Sequence, residues 1–278
     1  MSNLAPLASV IVLALIQGLC EFLPVSSSGH LVLAQAYLGF IDPDIVFDLV
    51  LHLGTLAAVI FYYRQTLAGL ISELRLLPKA LISPSILSQY YQTRPDFRLG
   101  ILIIAASLAT AVLGLTFRSF LTSLFSSIRA VGLALLLTSA VLALTALVKP
   151  GCRAIMTMRL SDALIIGLAQ GFAIAPGLSR SGLTIAAALI LGLNKQLAAK
   201  FSFIASIPAI LGGLILSLST GMTSPLGLKY LLVGLIVAAI SGYLALKLLT
   251  VLIDRGRLPL FAPWCLLAGL AALFYINK

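Results

Sequence analysis

The chain has 278 residues, 61% of them hydrophobic and only 9% charged, with a formal net charge of +10. Soluble domains carry roughly a quarter charged residues, so this composition excludes water as the main solvent. The 18 Lys and Arg fall mostly between apolar runs, where topology and anionic headgroups account for them, and no nucleic-acid partner is expected.

Five uncharged runs, 1–20, 99–117, 130–148, 201–228 and 258–277, reach or approach the ~20 residues that cross a bilayer as helix. A signal peptide would explain only the first of them. A backbone in lipid must satisfy itself in helices or closed barrels, and these Leu/Ile/Ala runs lack the alternation of barrel strands. The expected fold is an all-α polytopic membrane protein, one integral membrane domain over 1–278.

The first element is an apolar helix carrying Gln17 and Glu21, four residues apart and so on one face, and Pro24 interrupts it. Ser26, Ser27, Ser28 and Gly29 lead into a short second helix with His30. Asp42, Asp44 and Asp48 read as a solvated outer loop, and His52 as a packing residue or a minor neighbour of the site. Long apolar segments follow at about 46–64, 98–117 and 130–148. Residues 167–182, GLAQGFAIAPGLSRSG, then repeat residues 14–29, ALIQGLCEFLPVSSSG. At an offset of 153, Gln17 matches Gln170, Gly18 matches Gly171, Ser26 matches Ser179, Ser28 matches Ser181 and Gly29 matches Gly182. Pro176 falls one residue out of register with Pro24. Further apolar segments cover about 201–219, 229–249 and 259–276. The repeat halves are therefore about 1–150 and 151–278, each a broken or re-entrant helix pair plus three transmembrane helices. Cys20, Cys152 and Cys265 have no ligand spacing and read as small packing residues.

If each broken pair is re-entrant, three crossings per half invert the second half relative to the first. Arg64, Arg75, Lys79, Arg94, Arg98, Lys149, Arg153, Arg159, Lys195, Lys200, Arg255 and Arg257 then share one side. Only Arg118, Arg129, Lys229 and Lys278 lie on the other. Positive-inside bias makes the richer side cytoplasmic and puts both termini outside. Full double crossings give the same assignment, so charge supports an inverted-topology repeat without separating hairpins from crossings. Such repeats hold their site near the midplane, where the halves meet.

An ionisable residue inside a membrane segment costs about 3 kcal/mol and is functional by default. Glu21, His30 and Arg180 are the ones that cluster with hydroxyls and glycines. In Pro176–Thr184, Gly177 allows close backbone approach, Ser179, Ser181 and Thr184 offer hydroxyls, and Arg180 suits bidentate phosphate binding. A carboxylate, an imidazole, a guanidinium, hydroxyls and two helix starts are the equipment of phosphoryl transfer. Gln17 and Gln170 are equally suited to hydrogen bonding between helices. The alternative is a transporter or flippase for a phosphorylated lipid or small anion. Glu21 and His30 beside the serines favour chemistry over binding alone.

In these motifs the chain resembles the undecaprenyl-diphosphate phosphatase family, also called bacitracin-resistance proteins. Gln17–Glu21 looks like the family's (E/Q)xxxE motif, with Gln17 where many members carry Glu, and runs into PVSS(S/T)GH at Pro24–His30. Pro176–Thr184 looks like the second signature, PGxSRSxxT. The resemblance covers essentially the whole chain. It implies hydrolysis of undecaprenyl diphosphate to undecaprenyl phosphate and inorganic phosphate, recycling the lipid carrier of cell-wall synthesis and conferring bacitracin resistance. It implies a bacterial inner membrane, a site facing the periplasm, and dependence on a divalent cation, Mg²⁺ or Ca²⁺, held by Glu21. Glu21, Ser27, His30 and Arg180 are then the catalytic candidates, and Gln17, Ser26, Ser28, Gly29, Gly177, Ser179, Ser181 and Thr184 the substrate-binding ones. The nucleophile is Ser27 first, Ser26 second, or His30. The partners are the polyprenyl diphosphate and membrane lipids, and a homodimer is compatible with the sequence. The type 2 phosphatidic acid phosphatase signature is excluded, because SRxxxxxH needs histidine where Ala186 stands.

Overall fold

The computed structural model describes residues 4–38, 45–149, 151–218, 224 and 226–275. Within them the chain is helical, and the only extended pairing is an isolated bridge between Arg153 and Leu193. The helices are α1 (Leu4–Phe22), α2 (Ser27–Tyr37), α3 (Ile45–Tyr62), α4 (Arg64–Leu74), α5 (Leu77–Ile82), α6 (Pro84–Thr93) and α7 (Pro95–Thr116). They continue with α8 (Arg118–Ser123), α9 (Ile128–Leu144), α10 (Leu160–Phe172), α11 (Arg180–Ile190), α12 (Lys195–Leu218), α13 (Leu228–Asp254) and α14 (Ala262–Tyr275). Among the described residues four stretches are long and apolar enough to span a bilayer: Pro95–Thr116, Ile128–Leu147, Lys195–Leu216 and Leu228–Asp254. Val46–Tyr62 and Arg64–Leu74 join them as a pair bent by 81°. The molecule is an all-α polytopic membrane protein, as its composition requires.

Lipid gives helices no hydrophobic reason to associate, so close approach over small residues takes over. A Cβ on Gly18 of α1 would stand 1.9 Å from Ser241 Oγ and 2.9 Å from Gly242 N of α13. One on Gly167 of α10 would stand 2.2 Å from the Ala106 carbonyl of α7. Gly132 of α9 and Gly269 of α14 face each other in the same way. The partners cross between the halves: α1 packs on α13, α10 on α7, and α9 on α14. Phe22, Phe201, Phe203 and Ile185 are wholly buried between these layers, while Leu108, Leu137, Ile240 and Leu267 point outward.

The join between the halves is fastened down. Arg153 N donates to Gly192 O (3.1 Å) and Asn194 N to Arg153 O (2.9 Å). The Arg153 guanidinium adds bonds to Leu191 O and Thr157 O (2.7 Å each) and to Asp162 Oδ2 (2.5 Å).

Between the spans at 46–64 and 98–117 the chain forms α4, α5 and α6, with Leu70 buried and Pro84 and Pro95 opening α6 and α7 at the position where a missing N–H does no harm. One expectation is corrected: Asp48 is not in an outer loop but in α3, where it accepts a bond from Gln35 Nε2 at 3.0 Å. Asp42 and Asp44 lie outside the described residues.

Candidate active site

Both breaks are built by capping. After α1, Pro24 cannot continue the ladder and the chain turns through Val25, whose N–H donates to Leu23 O (2.7 Å). Ser26 then takes φ 70° and ψ 95° and is, among the described residues, the only non-glycine at positive φ. Its Oγ caps α2 by accepting from Gly29 N (3.3 Å) and lies 3.4 Å from Leu178 O of the other break. In the second break Gly177 takes φ +92°, and a Cβ there would strike Val131 O at 2.4 Å. Thr138 of α9 pins this loop, donating to Gly177 O (2.9 Å) and accepting from Ser179 N (3.1 Å). Ser179 Oγ caps α11 through Gly182 N (3.1 Å). The breaks touch where neither has a side chain, since a Cβ on Gly29 would lie 3.0 Å from Gly177 Cα.

This contact brings Glu21 and Arg180 together as a buried ion pair, through Glu21 Oε1 and Arg180 Nη2. Glu21 Oε2 accepts from Ser27 Oγ (2.7 Å) and Gln17 Nε2 (3.1 Å). The guanidinium offsets a carboxylate that could not stand alone at this depth. Gln17 Oε1 and Arg180 Nη1 remain buried without a partner. The centre thus has an acceptor and a donor unmatched, beside a hydroxyl already bonded to a carboxylate.

The other residues singled out in the sequence fall into two groups. Ser181 and Thr184 are buried beneath the second break: Ser181 Oγ lies 3.3 Å from Ser179 Oγ, and Thr184 Oγ1 bonds Arg180 O (2.7 Å) and Ser202 Oγ (2.6 Å). Ser28 is half-buried on the first turn of α2. His30 lies to one side, with Nδ1 2.9 Å from Ser26 O and Nε2 2.9 Å from Trp264 Nε1. Gln170, the repeat partner of Gln17, instead ties α10 to Thr110 Oγ1 (3.1 Å) and Ala205 O (3.2 Å).

His52 Nε2 comes within 3.9 Å of Glu21 Oε2, which fits the reading of a minor neighbour of the site rather than that of a packing residue. Two participants were not singled out. Thr138, in the pair Thr138-Ser139 within an apolar span, carried a legible polar signal. Trp264, the only tryptophan, gave none, because its partner is 234 positions away. The cysteines are free thiols, and Cys265 Sγ lies 3.5 Å from Pro24 O.

Among the described residues no three His, Cys, Asp or Glu gather as a metal cage. What the centre offers is a single carboxylate, the orphaned Gln17 Oε1 and the Ser27 hydroxyl, with the His52 imidazole 3.9 Å from the carboxylate. The three oxygen donors fit a hard divalent cation.

Fold and centre together define a multi-pass membrane protein whose two capped helix breaks converge on one buried carboxylate–guanidinium pair. The model of the family described as "Bacitracin resistance protein BacA" matches residues 10–271, and the chain belongs to that family. It is similar to the undecaprenyl-diphosphatase of Desulforapulum autotrophicum, 42% identical over 264 residues that cover 95% of this chain and 96% of the relative. The undecaprenyl-diphosphatase of Desulfatibacillum aliphaticivorans is 41% identical over 268 residues, covering 95% and 96%. That of Methanosphaera stadtmanae is 38% identical over 263 residues, covering 94% and 95%.

Proposed function

We infer that the protein hydrolyses undecaprenyl diphosphate to undecaprenyl phosphate and inorganic phosphate, recycling a cell-wall lipid carrier and conferring bacitracin resistance. Kinship with the undecaprenyl-diphosphatases names the substrate. The observation that carries the chemistry is the Glu21–Arg180 pair with Ser27 Oγ 2.7 Å from Glu21 Oε2. The diphosphate enters between the starts of α2 and α11, where the orphaned Arg180 Nη1 offers a donor. Ser27 Oγ attacks the terminal phosphorus and passes its proton to Glu21 Oε2, and the lipid phosphate leaves with the electrons of the broken P–O bond and takes that proton from Glu21. Water then attacks the phosphoserine and gives its proton to Glu21, which returns it to Ser27 Oγ as inorganic phosphate leaves. Arg180 holds the equatorial oxygens through both steps. Glu21 and Gln17 Oε1 would hold a Mg²⁺- or Ca²⁺-type ion together with the diphosphate. Such an ion supplies charge neutralisation and orientation.

The skew of cations to one side sets which face is cytoplasmic, and kinship with the undecaprenyl-diphosphatases is the ground for placing the protein in a bacterial inner membrane with the site opening to the periplasm. The crossed packing of α1 on α13 and α10 on α7 supports a duplicated, inverted origin of the halves.

The test is phosphate release from a C55 polyprenyl diphosphate by purified protein in detergent, with Mg²⁺ and with EDTA. Metal-dependent release, absent in Arg180→Ala, is the expected result. A folded protein that binds the lipid and releases nothing would be a carrier instead.

A further inference from the structure

We propose that Trp264 is a positioning residue of this site, acting through His30 on the backbone that aims Ser27. The chain of contacts begins with an indole N–H, which can only donate. Trp264 Nε1 lies 2.9 Å from His30 Nε2, so that nitrogen presents a lone pair. His30 Nδ1 lies 2.9 Å from Ser26 O, a carbonyl that can only accept, so Nδ1 carries the proton. The two partners leave one protonation state, the neutral ring with hydrogen on Nδ1. The planes of the two rings are parallel to within 11°, with their centroids 6.0 Å apart.

Ser26 is where this fastening matters. It is the residue at φ 70°, a conformation that persists only where its surroundings hold it. Its carbonyl receives His30 Nδ1 and, at 3.1 Å, the His30 backbone N–H. The next residue, Ser27, bonds Glu21. Trp264 holds His30, His30 holds the Ser26 carbonyl, and the Ser26 backbone sets the direction of Ser27. The start of α14 is itself tied to the site, with Ser139 Oγ on Ala262 O (2.7 Å) and Cys265 Sγ beside Pro24 O. With both nitrogens engaged, His30 neither attacks phosphorus nor takes the Ser27 proton in this arrangement. Its part is to keep a strained turn in place.

The activity arm of the test rests on the phosphatase reading, whereas the spectroscopic arm does not. The full chain, labelled with ¹⁵N-histidine in detergent, shows two imidazoles, and His52→Gln assigns them. His30 should be neutral with its proton on Nδ1 and Nε2 hydrogen-bonded. In Trp264→Phe, which keeps the aromatic bulk and loses the N–H, the Nε2 resonance should move toward that of an unbonded nitrogen. Phosphate release should fall about 10- to 100-fold in kcat with KM little changed. Should that variant not fold, the indole N–H of the single tryptophan gives a second reading: it should exchange slowly with solvent and lose that protection in His30→Phe. A wild-type His30 protonated on Nε2, an Nε2 resonance indifferent to Trp264→Phe, or unaltered kcat in that variant would overturn the proposal. A wild-type protein that releases no phosphate but shows the expected nitrogen spectrum would remove the phosphatase reading and leave the His30–Trp264 bond standing.

Discussion

At Glu21 one carboxylate gathers Gln17 from its own helix, Ser27 across the first break and Arg180 from the second. Removing one partner of a buried pair strands the other charge, at a cost of about 3–5 kcal/mol. Glu21→Gln and Arg180→Met should each lower thermal stability in detergent sharply, and the double variant should lose less than their sum. Ser27→Ala leaves the pair intact and removes one hydrogen bond to the carboxylate, so it should destabilise by about 1.5–3 kcal/mol while phosphate release disappears. Thr138→Val should cost about 1 kcal/mol by freeing Gly177 O and Ser179 N, and should slow release by loosening Arg180. The legible part of the site was its local part. Gln17 and Glu21 share a helix face, and Ser26 and Ser179 stand three residues before the N–H groups they cap. Thr138 and Trp264 act through contacts between distant segments, for which no spacing rule exists.

Among the elements, the long apolar helices follow directly from hydropathy, since only a continuous helix satisfies the backbone in lipid. The helices α4–α6 do not, because Arg64, Arg75, Lys79 and Arg94 interrupt any apolar run and short helices rest on packing, here of Leu70. The breaks were legible as breaks from Pro24 and from Pro176-Gly177, but not the crossing of Gly29 over Gly177 that sets their distance. Gly177→Ala would combine a left-handed backbone with a collision at Val131 O, and its expected effect is loss of folded protein by size-exclusion chromatography. Gly18→Ala meets Ser241 Oγ first, so it should destabilise by about 1–3 kcal/mol. Adding Ser241→Gly should recover part of that loss, because Ala238 O, 2.8 Å from the new methyl, remains in the way.

Across the whole molecule the partners are exchanged. The first helix of each half packs on a span of the other, and α9 closes on α14. Neither half can then bury its own small-residue faces. Expressed alone, residues 1–149 and 151–278 should each fail to accumulate, whereas together they should copurify and release phosphate. The Arg153 bonds that fasten the join lie wholly within the second half, so a cut at residue 150 leaves them in place. Recovery of one half as a stable, monodisperse species would show that the exchanged contacts matter less than their closeness suggests.

The ion pair also has a dimension in time. Its members are 159 residues apart, so at about 5–20 residues per second Glu21 is in the membrane roughly 8–30 s before Arg180 is made. For that interval the growing chain carries an unanswered carboxylate at a depth where charge is expensive, and it resembles a damaged protein to any protease that surveys the bilayer. Nascent chains stalled short of residue 180 should therefore be cleared faster than the same chains bearing Glu21→Gln. Pulse-chase labelling would read that difference as a half-life.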